Sequence, residues 1–395
     1  MTVFALVVFG IIMITSIGVP KSIQLSAPDV AYPNCSDPAV DCYLMLKNHL
    51  VRVILSIGAF LACLKINYRF WDKTAPVLYF ISMGLLITVL IFGADNNTFA
   101  KSWINIQYIP FLNSIQPAEV AKFGLVVYLA GWFTKKMETR DGLDDWKDGF
   151  FAFAVIAGIV VLPVILQPDL GSTLVLVSIA TCMYFLAGAP IKHFAVGGLI
   201  TLIFALGAIG SQDYLQNRFK AFMFPGENCS EDYCWQSEQA KIAIGSGGLW
   251  GKGLTQGIQK SYWLPQASDD FIFAASAEEL GFLRIIFVII GYAVIAYKGF
   301  QIANHAPNRF SMMLATGITV WVSSQAFINI LVNISLFPIT GITLPFISYG
   351  GSSLLTTMAG MGVLLNISKY TTNHAYTSNR RRDSRSRYAQ PRYRR

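Results

Sequence analysis

Apolar runs long enough to cross a bilayer recur along the whole chain, and no other feature constrains its fold as strongly. Ten are read, at about 3–19, 49–65, 76–93, 118–134, 150–166, 170–187, 192–210, 270–297, 311–333 and 345–368. The first has no basic segment ahead of it and no small-residue cleavage site behind it, so it reads as an uncleaved span rather than a signal peptide. With 54% hydrophobic and only 13% charged residues, the composition excludes a pair of soluble domains. The expected fold is an all-α polytopic membrane protein of about ten transmembrane helices.

An even number of spans puts both termini on one side. With the N-terminus inside, the inside segments carry 19 Lys and Arg and the outside segments 8, which predicts N-in/C-in. The outside segments are then about 20–48, 94–117, 167–169, 211–269 and 334–344, the fourth being one large extracytoplasmic loop. Residues 1–370 form the membrane domain. The 371–395 segment holds "RRRDSRSRYAQPRYRR", eight arginines in sixteen residues with few aliphatic side chains, and is expected to be a disordered cytoplasmic tail. Beside a cytoplasmic membrane face its charge suits anionic lipid, and no nucleic-acid partner is expected.

Cysteines follow the same map. Cys63 and Cys182 fall inside spans, whereas Cys35/Cys42 and Cys229/Cys234 form two close pairs in outside loops, where disulfides are permitted. Bridged loops and free thiols are both open, and no histidine stands near either pair to suggest zinc.

"LPQASDDFIFAASAEELGF", residues 264–282, places Asp269 and Asp270 side by side and Glu278 and Glu279 deeper in an apolar run. Charges entering a bilayer are costly and need a reason. Other polar residues crowd towards the same outside ends: Trp103, Glu119, Lys122 and Asp169. One extracytoplasmic site built from several spans would account for them together. Lys122 needs a counter-ion, and both Glu119, three residues earlier on the same helix face, and Asp169 are candidates. That ion pair serves either as a helix clamp or as part of a mechanism. In "QPDLGS", Asp169 is also placed to N-cap a helix while Gly171 permits close packing.

The stretch "IAIGSGGLWGKGLTQG" has six glycines between Gly245 and Gly257 but fits neither the Walker nor the GxGxxG pattern. It reads either as backbone N–H groups holding a pyrophosphate or as a surface loop needing positive φ. "LFPITGITLPFISYGGSSLL", residues 336–355, is a Pro- and Gly-interrupted re-entry, tolerated at membrane depth only where it is buried or lines a cavity. Ser348, Tyr349, Ser352 and Ser353 are its candidate lining.

The blocks "QPAEVAK", "QPDLGS", "AIGSGGLWGKG", "LPQASDDFIFAASAEELGF" and "GITLPFISYGGSS" resemble, in order, the signatures of the SEDS family of shape, elongation, division and sporulation proteins (RodA, FtsW, SpoVE). The resemblance implies a peptidoglycan glycosyltransferase of the bacterial cytoplasmic membrane. Such an enzyme polymerises lipid II into glycan strands on the outer face and releases undecaprenyl diphosphate. It also implies a class B penicillin-binding protein as transpeptidase partner within the elongation or division machinery.

By resemblance, the essential carboxylate falls on Asp270, the intramembrane Lys–Asp pair on Lys122 and Asp169, and the loop tryptophan on Trp103. Asp270 would take the proton from the attacking 4-hydroxyl. Lys241 and Lys252 are basic candidates for the leaving diphosphate, Gln239 and Ser348 are further candidate substrate contacts, and Glu278 and Glu279 read as internally paired structural charges. No tightly bound cofactor is expected, and a divalent cation, Mg2+ or Mn2+, is a candidate aid to the leaving group.

The chain departs from the family where Ser268-Asp269 replaces His-Thr, Gln266 replaces Glu, and Ser102 replaces the Arg before the tryptophan. "KIAIGSGGLWGKG" leans to the elongation type, while "LPQA", "GITLP" and the basic tail lean to division and sporulation. The alternative from another class is a lipid II flippase, which broken helices and intramembrane charges also suit.

Overall fold

A computed structural model describes residues 1–28, 34–93, 102–105, 114–139, 142–211, 213–224 and 231–386. Helices α1 (Thr2–Ile17), α2 (Val19–Ser26), α3 (Leu44–Lys65), α4 (Arg69–Phe92) and α5 (Pro117–Lys136) are followed by a π-helical turn, Trp146–Phe151, that leads into α6 (Ala152–Leu166). Then come α7 (Leu170–Leu186), α8 (Ile191–Ser211), α9 (Asp213–Met223), α10 (Glu231–Gly247), α11 (Ile272–Leu280), α12 (Phe282–Asn304), α13 (Arg309–Asn333) and α14 (Gly351–Ser386). A two-residue antiparallel pair, β1 (Ile104–Asn105) with β2 (Ser114–Ile115), joins α4 to α5 in register Ile104↔Ile115.

The protein is a multi-pass membrane protein, and ten of these helices, α1, α3–α8 and α12–α14, coincide with the ten apolar runs. Their burial is arranged inside out. The outer helices α4 and α12 expose Phe80, Ile91, Phe92, Phe287 and Tyr297, as lipid-facing surfaces should. The central helices α5 and α13 turn charges and amides inward: Glu119, Lys122, Gln325, Asn329 and Asn333 are all buried. α5 packs between α4, α7 and α13.

Three expected boundaries change. The run 270–297 is two helices, because Gly281 takes φ +77°, left-handed backbone that ends α11 and starts α12 in a new direction. The first span is bent by 60° between α1 and α2. Pro20 cannot donate a backbone hydrogen bond to Ser16, so the helix cannot continue straight. The last helix begins at Gly351 rather than at 345 and runs to Ser386, into the segment from 371 read from sequence as a disordered tail. Neither glycine nor proline interrupts residues 363–386, so helical hydrogen bonding has no local stop there.

The segment between α13 and α14 is irregular yet buried, with Thr340, Ile342, Leu344, Phe346 and Ser348 all inside. Its carbonyls are satisfied by side chains. Asn329 donates to Ile342 O at 2.7 Å, Gln325 to Thr343 O at 3.2 Å, Arg218 to Ile339 O at 2.9 Å, and the Tyr292 hydroxyl to Pro345 O. That is how non-helical backbone survives at membrane depth.

Candidate active site

Asp270 ends a tight loop just ahead of α11, and its own backbone is anchored before its side chain is considered. Asn329 and Asn333, one turn apart on α13, donate to the Asp270 carbonyl at 2.8 and 3.0 Å. Asn333 also accepts from Ala274 N at 2.9 Å, which fixes the first turn of α11. On the other side the Ser348 hydroxyl donates to Asp269 O at 2.6 Å and accepts from Leu344 N at 2.8 Å, while Tyr349 N donates to Ser268 O at 3.0 Å. Ser348 is 3% exposed, and its hydroxyl ties this loop to the segment before α14.

The Asp270 side chain opens towards Gly341. A Cβ built on that glycine would lie 3.7 Å from Asp270 Oδ2 and 3.8 Å from a terminal nitrogen of Arg218, so one small space faces both a carboxylate and a guanidinium. Gly171 makes the neighbouring wall possible, since a Cβ there would meet Ile342 at 2.0 Å and Thr340 O at 2.9 Å. The side chain keeps some solvent contact in a loop outside the spans, yet the protein around it dominates its titration. Burial first, and then the Asp269 charge, push Asp270 up to about 7, against the pull of Arg218 and Lys21, with Asp169 also raising it.

The intramembrane ion pair differs from expectation. Lys122 Nζ lies 2.8 Å from Glu119 Oε1 and 3.1 Å from Gln325 Oε1, with the lysine fully buried. Among the described residues, Lys122 forms no salt bridge with Asp169. Asp169 Oδ1 caps α7 by accepting from Ser172 N at 2.9 Å, and Oδ2 accepts from Gln116 Nε2 at 2.9 Å. The cap holds Asp169 at the helix end, while the i,i+3 spacing on α5 delivers Glu119 directly to Lys122. Gln116 follows β2, and half-buried Trp103 immediately precedes β1, so the small sheet brings the tryptophan to the Asp169 side of the site.

The glycine-rich loop turns its backbone N–H groups onto α11, and Thr255 N donates to Glu279 Oε2 at 3.1 Å. Lys252 N and Gly253 N donate to the carbonyls of Glu278 and Glu279, at 3.0 Å each, wrapping the loop around the end of α11. Lys252 Nζ, one of the two basic candidates for the diphosphate, is 2.6 Å from Glu278 Oε1. Lys260 Nζ is 2.6 Å from Glu279 Oε1, and Ser16 of α1 also donates to Glu279 at 2.8 Å. Gln239 is buried on α10 and Lys241 is exposed on it, and no hydrogen bond joins either to Asp270. Cys35 and Cys42 are joined in a disulfide with Cα atoms 5.8 Å apart. Cys234 is disulfide-bonded as well, and Cys229 lies outside the described residues.

Sequence reasoning passed over Arg218, Lys21 and the two asparagines of α13. The asparagines carried a signal, two amides four residues apart in an otherwise apolar run. Arg218 and Lys21 carried none, because only the fold brings them to residues more than fifty positions away. Among the described residues no group of three or more His, Cys, Asp or Glu side chains could hold a metal ion.

A buried polar centre that opens beside a carboxylate and a guanidinium, at one rim of a helical bundle, is the candidate site of a polytopic membrane protein. The chain belongs to the FtsW, RodA and SpoVE family, described as cell cycle protein, whose pattern matches residues 1–373. It is 35% identical over 367 residues to a protein of Trichlorobacter lovleyi named "Probable peptidoglycan glycosyltransferase FtsW", covering 93% of this chain and 91% of that one. It is also 35% identical over 332 residues to stage V sporulation protein E of Bacillus subtilis, covering 84% and 88%.

Among solved structures it is similar to a chain from a study titled "Structural coordination of polymerization and crosslinking by a peptidoglycan synthase complex", with TM-score 0.72 and 25% identity, covering 94% and 96%. Rod shape determining protein RodA of Thermus thermophilus matches with TM-score 0.63 and 25% identity, covering 93% and 94%.

Proposed function

We infer that this family member is a peptidoglycan glycosyltransferase that elongates glycan strands from a lipid-linked disaccharide, lipid II, with Asp270 as the base. The observation that carries the reading is the shared space beside Gly341, where a Cβ would lie 3.7 Å from the Asp270 carboxylate and 3.8 Å from the Arg218 guanidinium. In the transfer, the acceptor 4-hydroxyl gives its proton to Asp270 as its oxygen bonds the donor anomeric carbon. The bond from that carbon to the diphosphate oxygen breaks, and the electron pair leaves with undecaprenyl diphosphate. A carboxylate near 7 suits a base working at neutral pH. Arg218 supplies fixed positive charge where negative charge develops on the leaving group. No step is routed through a metal.

The reading places this rim on the outer face of the cytoplasmic membrane, where lipid II is consumed, and the tail on the cytoplasmic side. A class B penicillin-binding protein is the proposed partner, in keeping with the synthase complex to which the fold is similar. The test is polymerisation of purified lipid II by the full chain with its transpeptidase partner. Asp270→Asn should fold and bind the partner while losing at least about a hundredfold in rate. Wild-type protein that moves lipid II across vesicles but never polymerises it would favour a flippase.

A further inference from the structure

Beside Asp270 the site contains a second carboxylate, Asp269, and a partner for it from a distant part of the chain. Lys21 sits on α2, which the 60° bend swings away from the axis of α1 and over the loop that carries Asp269. The Tyr262 hydroxyl donates to Pro20 O at 2.9 Å and pins the bend to the same loop. Lys21 Nζ then donates to Asp269 Oδ2 at 2.8 Å and to Gln266 Oε1 at 2.9 Å. Gln266 and Asp269 thus meet one ammonium group. Side-chain exposure is 38% for Lys21 and 19% for Asp269, enough cover to resist full screening.

We propose that Lys21 is a positioning residue for the Asp270 base: by neutralising Asp269 it sets the pH range over which Asp270 can accept the acceptor-sugar proton. The proposal rests on the reading of Asp270 as the base. Two adjacent carboxylates cannot both hold their charge cheaply, so an uncompensated Asp269 would keep Asp270 protonated to higher pH. The charged groups acting on Asp270 are Asp269 from its own loop, Arg218 from α9, Lys21 from α2 and Asp169 from the cap of α7. Of these, only Lys21 is ion-paired to the neighbouring carboxylate. Asp169 is taken up by Ser172 and Gln116.

The experiment is the pH profile of lipid II polymerisation by the full chain with its partner, for wild type, Lys21→Gln, Lys21→Arg, Asp269→Asn and the Lys21→Gln/Asp269→Asn double variant. Lys21→Gln should move the acid-limb midpoint up and Asp269→Asn should move it down, each by roughly half a pH unit given partial exposure. The double variant should fall between them, and Lys21→Arg should keep the wild-type midpoint. Raising salt should shrink the Lys21→Gln shift. Coincident midpoints in all variants would overturn the proposal, as would a Lys21→Gln loss that is equal at every pH. If Lys21→Gln fails to accumulate, the Asp269→Asn shift alone decides, because it must be downward. An active Asp270→Asn would instead sink the reading of the base, which separates the two failures.

Discussion

Lys122 and Glu119 lie one turn apart on α5 and form a salt bridge of 2.8 Å in which neither side chain is more than 4% exposed. The pair is the charged centre of the bundle, extended by Gln325 to Ser353 and to the irregular segment before α14. Removing one partner leaves the other buried and uncompensated. Lys122→Ala and Glu119→Ala should each destabilise the protein by about 3 kcal/mol or more. A double-mutant cycle should show strong coupling between Lys122 and Glu119 and little between Lys122 and Asp169. Unfolding midpoints in detergent give the comparison.

Activity should rise with pH through a midpoint near 7, the value to which burial and Asp269 push Asp270. Stability runs the other way. A carboxyl raised above its ordinary 3.8 favours the folded state while protonated, so its contribution is fully present below that value and is lost as pH rises through about 7. Asp270→Asn should remove this part of the pH dependence of the melting temperature. A wild-type rate that is flat from pH 5 to 9 would contradict the assignment.

Lys252 should behave as a structural residue. With its ammonium 2.6 Å from buried Glu278, Lys252→Ala should lower thermal stability by ~2 kcal/mol, discounted for the lysine's 28% exposure, and leave KM for lipid II nearly unchanged once the protein is folded. A several-fold rise in KM at unchanged stability would return it to the substrate site.

Maleimide labelling of the native protein should fail at Cys35 and proceed after a reductant is added, because Cys35 is exposed but bridged to Cys42. The loop closed by this bridge has a sequence separation of only 7, so reduction should cost stability modestly, on the order of 2 kcal/mol.

Much of the fold was legible because a bilayer demands long apolar helices, and that demand is written locally in every run of sequence. The cap at Asp169 was legible for a similar reason, as it is signalled within a few residues. Partner choice was less so. Lys122 had two acids within plausible reach, and spacing alone could not say that the α7 cap and Gln116 occupy Asp169. Lys252 was one of two basic candidates for the diphosphate, and the acid it pairs with stands 26 residues later in the chain.

The membrane class, the run of helices and the family follow from local pattern alone. Which charges meet follows from the fold: Lys21 with Asp269 across 248 positions, Arg218 with the loop at Ile339 and Gly341, and Asn329 and Asn333 with the backbone of Asp270. The physical reason is range. Hydrophobic span length, capping and helical spacing act over a few residues, while an ion pair acts through space and depends on where a bend such as that at Pro20 sends the chain.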